Sequence, residues 1–211
     1  MKRLTLLVLL TAAGCLSPRE ITPVHRYLLQ PAVSVQAVST SPKTLGVRPL
    51  EIAASYDTTL AHADSSLHLA YWPNEEWAER PAVALTRLLQ DAIGATKAFQ
   101  DSGNAAVMAR PDYYLTGTIR KFHARQMESG QVAEIEVLLE VREARGAARL
   151  WDALLHEEVP MDDFTPAALA SAMNQALASV ASKAANGLAE AAQSIPAAAT
   201  PVPTIDPASQ P

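Results

Sequence analysis

The sequence predicts an α+β fold: a two-layer sandwich with a largely antiparallel sheet of about six strands and two amphipathic helices on one face. Three observations predict it. "AEIEVLLEV" alternates with period two, setting Ala133, Ile135, Val137, Leu139 and Val141 against Glu134, Glu136 and Glu140. One apolar and one wet face is the pattern of an antiparallel sheet. Two segments repeat at helical spacing instead: Leu85, Leu88, Leu89, Ala92, Thr96 and Phe99, then Leu169, Met173, Leu177, Val180, Ala184 and Leu188. The order is three strands, a helix, three strands, a helix. The connection through the first helix can set two neighbouring strands parallel, so the sheet is open to being mixed.

Each element has a local reason. "HRYLLQP" is a short strand closed by Pro31, and "TLGVRPLEI" a second whose Pro49, lacking an N–H, predicts an edge position or a bulge. "SYDTTLAHADS" reads as loop. "SLHLAYW" alternates and ends at Tyr71, with Pro73 stopping its ladder. In "YWPNEEWAERP", Asn74 is an early helix cap, and Glu75, Glu76 and Glu79 suit the positive start of a helix from about Glu79. Trp77 is expected to pack that helix entry against the sheet. "DSGN" ends the helix. In "YYLTGTIRKF", Tyr113, Leu115, Gly117 and Ile119 share a face. Phe122 falls on the other parity, which requires a bulge or a second covered surface. "EARGAAR" turns around Gly146 and "LWDALLHEEV" returns. Thr165 caps the second helix with Pro166 at its first position, behind Asp162 and Asp163.

The ends carry a different message. "MKRLTLLVLLTAAGC" has two positive charges, an apolar stretch from Leu4 to Ala13 and small residues, the pattern of a secretory signal peptide over residues 1–14. The stretch is shorter than the roughly 20 residues a membrane span needs. Cys15 is the chain's single cysteine, so no internal disulfide can form. "AAGC" resembles a bacterial lipobox, with Ala12 where leucine is usual, and implies lipidation of Cys15 and anchorage in a membrane. Residues 15–24 form a tether, residues 25–190 the folded domain, and residues 191–211 an Ala/Pro-rich tail too poor in large apolar side chains to fold. Removal of Lys2 and Arg3 with the signal peptide takes the formal charge from -5 to -7. That balance argues against nucleic acid as a partner, which requires clustered Lys and Arg.

Chemistry is sparse. No nucleophile elbow, phosphate loop or dinucleotide fingerprint occurs. His62, Asp64 and His68 approach metal spacing, but a polar loop entering a strand explains them better. Neighbouring acids on extended chain point to opposite sides, a poor dyad. The Glu134 strand offers a solvated face, or else a partner contact. No catalytic residue, cofactor or metal is expected.

Several elements together resemble a known family. The lipobox cysteine, "YLL", "LGVRPLEI", Trp77 with Pro81, Leu85 and Leu89, the strand from Leu115 to Phe122, and the alanine-rich last helix are similar to the ABC-type transport auxiliary lipoproteins. The resemblance implies a non-enzymatic lipoprotein of a Gram-negative envelope that uses no cofactor. It would act beside an ABC permease and ATPase and an MCE-domain periplasmic protein, in transport of lipid or other hydrophobic compounds between membranes. It also implies docking, a ring of identical subunits and, with Leu16 rather than Asp after Cys15, an outer-membrane position facing the periplasm. Two alternatives stand beside it: an envelope-assembly lipoprotein of similar fold, and a periplasmic metal-dependent hydrolase using His62, Asp64 and His68 with Glu75 or Glu76.

Overall fold

The computed structural model describes residues 22–146 and 148–194. The expected signal peptide, the lipidation site Cys15 and the tail from 195 lie outside the described residues. The elements are β1 (His25–Tyr27), β2 (Ser41–Val47), β3 (Glu51–Ile52), β4 (Thr59–Ala63), β5 (Leu69–Trp77), α1 (Pro81–Thr96), β6 (Phe99–Asn104), β7 (Tyr113–Met127), β8 (Gly130–Glu143), β9 (Arg149–Pro160) and α2 (Pro166–Gln193).

Among the described residues the class is α+β with two helices, but the sheet has nine strands rather than about six, and much of it is parallel. The long strand β7 organises it. One edge of β7 pairs antiparallel with β8 over its whole length, and β8 pairs antiparallel with β9. The other edge is shared by three short strands, all parallel to it: β2 at Tyr113–Leu115, β3 at Thr118–Ile119 and β4 at Ala124–Arg125. The sheet therefore forks. β6 extends it beyond β2, while β5 and then β1 extend it beyond β4.

The expected bulge in β7 is present. The register with β8 shifts between Ile119 and Lys121, which turns Phe122 inward to 1% exposure. Gly117 lies on the same strand because a Cβ there would meet Leu138 O and Leu139 Cδ2 at 2.6 Å. Gly117→Ala should therefore overpack the β7–β8 pair and lower stability by about 1–3 kcal/mol, a loss that urea denaturation would measure.

Helix α2 begins as its sequence requires: Thr165 accepts a hydrogen bond from the Ala168 N–H, with Pro166 opening the helix. Its stripe of Leu169, Met173, Leu177, Val180, Ala184 and Leu188 is fully buried, and it runs to Gln193, beyond the expected end at 190. Among the described residues no helix is long and apolar enough to cross a membrane.

Five expectations need correction. "SYDTTLAHADS" is not all loop, since it holds β4. Helix α1 stops at Thr96, with Lys97 in the left-handed region at φ 58°, so buried Phe99 opens β6 instead of extending the helical stripe. β5 does not stop at Tyr71 but continues to Trp77 through an irregularity that takes up Pro73 and Asn74, the latter at φ 59°. The helix start follows from this: α1 begins at Pro81 without a side-chain cap, and Glu75, Glu76 and Glu79 all lie before it. Finally, Glu134 is not solvated; it is 1% exposed.

Candidate functional site: a buried carboxylate on the outer sheet face

The sheet has an inner face toward the helices and an outer face away from them. Ala133, Ile135, Val137, Leu139 and Val141 of β8 are all buried on the inner face. Their alternates face outward and meet neighbours in register: Lys121, Glu136 and His156 form one row, and His123, Glu134 and Glu158 the next. The bulge creates this arrangement. By shifting the parity of β7 it brings Lys121, His123 and Arg125 onto the same face as Glu134.

Glu134 sits at the centre. Its Oε1 lies 2.8 Å from Lys121 Nζ and 3.0 Å from His156 Nε2. Its Oε2 lies 3.1 Å from Arg125 Nε and 3.5 Å from His123 Nε2. Arg125 also pairs with Glu158, and Lys121 with Glu136 at 3.5 Å. Tyr56, from the connection between β3 and β4, closes the site. Its ring stacks on His123, and its hydroxyl is 2.9 Å from His123 Nδ1. The consistent tautomer carries the proton on Nε2, toward Glu134, so Nδ1 accepts from the Tyr56 hydroxyl.

The electrostatics follow from burial and charge. Burial pushes the Glu134 carboxyl up, but the Lys121 hydrogen bond and the Arg125 charge outweigh it, and the pKa lies below the ordinary carboxylate value. Burial lowers His123 despite the attraction of Glu134, so the imidazole is held neutral. Burial, then the charge of Glu134, raises Tyr56 to about 12, and it stays a hydroxyl donor.

This arrangement suits structure better than catalysis. Lys121 and His156 hydrogen-bond to Oε1 of Glu134, while Arg125 and His123 lie 3.1 Å and 3.5 Å from Oε2. A carboxylate that is 1% exposed, has a depressed pKa and is surrounded by basic side chains is poorly placed to take a proton from a substrate. Among the described residues, Glu134, His156 and Glu158 are the group whose ligand atoms could share a metal, lying within 4.8 Å of one another. Lys121 and Arg125 already hold those carboxylates, so a cation would have to displace both.

The residues singled out from the sequence are engaged elsewhere. His62 packs against Trp72 at 4.5 Å and Phe164 at 5.4 Å between ring centroids, and burial lowers its pKa. Asp64 instead shapes a turn, accepting from the backbone N–H groups of Ser66 and His68, with His68 Nδ1 3.3 Å from its other oxygen. Glu75 pairs with His25 at 2.9 Å, a hydrogen bond that holds its carboxyl below the ordinary range, and Glu76 pairs with Arg26 at 3.3 Å. Both acids thus tie β5 to β1. Trp77, Pro81, Leu85, Leu89, Leu115 and Phe122 are all buried, and the Trp77 and Phe122 rings meet edge to face at 5.4 Å. The Glu134 network is the feature that alternation alone misses. Its signal is Lys121, His123 and Arg125, three basic residues two apart, followed by two acids two apart at Glu134 and Glu136.

The model of the ABC-type transport auxiliary lipoprotein component family matches residues 27–185, most of the chain and nearly all of the fold just described. The chain belongs to that family. Solved structures agree on the fold of this auxiliary lipoprotein component. Protein XCC0632 from Xanthomonas campestris, a DUF330 protein, is 19% identical with a TM-score of 0.68, covering 80% of this chain and 97% of its own. A second structure, described as an uncharacterised protein, is 13% identical with a TM-score of 0.63, covering 79% and 99%. No curated protein matches the sequence.

Proposed function

We propose that the protein is a lipid-anchored accessory subunit of an ABC/MCE-type transport system, held to the outer membrane through Cys15 and docking the periplasmic MCE-domain partner. Membership of the auxiliary lipoprotein family, the lipobox at Cys15 and the short tether support this reading. It assigns the chain a place in the movement of lipid or another hydrophobic compound, with no chemical step of its own.

The observation that carries the docking role is β9. Among the described residues it pairs only with β8, leaving a 12-residue edge open. An unpaired edge offers main-chain donors and acceptors to another strand. At its middle, Leu154 is 54% exposed and stands in register with half-buried Leu138. This apolar spot lies between the row of Glu136 and His156 and the row of Glu140 and Asp152. A partner strand would gain backbone pairing from the edge and side-chain specificity from the spot. Pairing of this edge with a different edge of the next copy would build the expected ring.

Co-purification tests this. Leu154→Arg should reduce recovery of the MCE-type protein at least about tenfold, the effect of roughly 1.4 kcal/mol. As a surface change it should leave stability within about 0.5 kcal/mol. Undiminished recovery would remove β9 from the interface. Failure of the wild-type chain to recover any MCE-type protein would contradict the reading itself.

A further inference from the structure

We infer that the tip of the β4–β5 hairpin rests on the zwitterionic bilayer that holds the anchor, with Leu67 in the headgroup region; this rests on the reading of Cys15 as lipidated. The first observation is direction. β1 runs parallel to β5, with His25 opposite Glu75 and Tyr27 opposite Trp77. The chain preceding His25 therefore leaves the sheet toward the start of β5, the end where the hairpin turns. The ten residues from Cys15 to Val24 span no more than about 36 Å when fully extended. With the chain leaving His25 in this direction, an anchor at Cys15 draws this end of the domain toward the bilayer.

The second observation is what that end presents. Leu67 is 77% exposed at the turn and has φ 63°. Glycine and asparagine adopt that conformation readily, and a branched apolar residue does not. The turn is built: Asp64 Oδ1 accepts from Ser66 N at 2.8 Å and His68 N at 3.0 Å, fixing the leucine outermost. A large apolar side chain held in a disfavoured conformation, away from any core, points to a contact outside the molecule.

Behind the tip, partly exposed Trp72 packs with His62 and Phe164, the last from the β9–α2 connection. An amphipathic indole suits a membrane–water interface. Charge selects the lipid. The residues that share this end include Asp64, Glu128, Asp162 and Asp163, and the stretch from Asp64 to Tyr71 holds no Lys or Arg. Anionic headgroups would be repelled, so the contact is apolar and with zwitterionic lipid.

The chain's single cysteine makes the test direct. Leu67→Cys is labelled with a fluorophore in the mature, lipidated protein, where Cys15 is blocked by its acyl group, and the protein is placed in phosphatidylcholine vesicles containing nitroxide-bearing lipid. Val107→Cys is the control: it is 81% exposed and lies in the β6–β7 connection, beside the other end of β7. Quenching should be several-fold stronger at 67 than at 107, and should weaken when phosphatidylglycerol replaces half of the lipid. Equal quenching at the two positions would overturn the inference. So would a label at 67 that becomes shielded only when an MCE-type protein is added, which would assign the tip to a protein pocket. Vesicle flotation separates the two levels. A wild-type chain that does not float refutes the anchor and this contact with it; one that floats without quenching at 67 refutes the contact alone.

Discussion

Trp77→Ala is expected to destabilise the domain by about 3–5 kcal/mol, lowering its Tm by on the order of 10 °C for a domain of this size. Trp77 is 2% exposed, and its ring packs edge to face on Phe122, which is itself turned inward by the β7 bulge. It is also where three elements are tied. Its backbone N–H donates to Thr58 O at 2.6 Å, and that of Ala78 to Tyr27 O at 2.8 Å. Truncation leaves a cavity between β5, β7 and the start of α1 that the paired backbone cannot collapse to fill. Trp77→Phe should recover much of the loss. A thermal melt showing Trp77→Ala unchanged would instead place this indole on a partner-facing surface.

The second large effect is at Glu134. Glu134→Gln should lower stability by about 2–4 kcal/mol, toward the lower part of the range for breaking buried pairs because Lys121 and Arg125 keep some access to water. The cost comes from leaving those cations with only the more exposed Glu136 and Glu158 as partners, beside neutral His123. The pH dependence has a definite sign. Glu134 has a folded pKa below its ordinary value, so its contribution is present above about 4.3 and is lost as pH falls through the folded pKa. His123 is also depressed. As pH falls below about 6.5 the unfolded chain takes up that proton first, and stability declines until the folded pKa is reached. The wild-type Tm should therefore fall in two stages on acidification. His123→Phe should shrink the upper stage to the part left by His62, whose pKa burial also lowers. Glu134→Gln should remove the lower one and deepen the upper, because the carboxylate charge no longer supports a protonated His123. Thermal melts from pH 8 down to about pH 2 would read both, and a flat profile above pH 5 would contradict the neutral, buried assignment of His123.

What could be read in advance follows from where the physics is local. β8 was legible because its alternate residues pack on α2, and α2 because cap, first-turn proline and apolar stripe lie within one segment. The parity of Phe122 pointed to the bulge for the same reason. β4 and β6 were not legible. "FQDSGN" is composed of turn-forming residues, and it is a strand because β2 supplies parallel partners from far away in sequence. The sharing of one β7 edge by β2, β3 and β4 depends on registers between distant segments that no local pattern encodes. At Glu134, alternation gave the correct face but not the depth. Depth comes from Tyr56, which folds over from the β3–β4 connection, and from the long side chains of Lys121 and Arg125. At Asn74, a left-handed residue after Pro73 lets β5 bulge and continue where a simple reading of proline stops it.

The docking role is tested most directly by a photoreactive amino acid placed at position 154 in cells, with position 107 as the control and the adducts identified by mass. Irradiation should yield an adduct between position 154 and an MCE-domain protein, alone or together with a second copy of this chain, and no such adduct from position 107. Adducts from 154 that contain only unrelated envelope proteins, in cells where the MCE-type protein is present, would contradict the account.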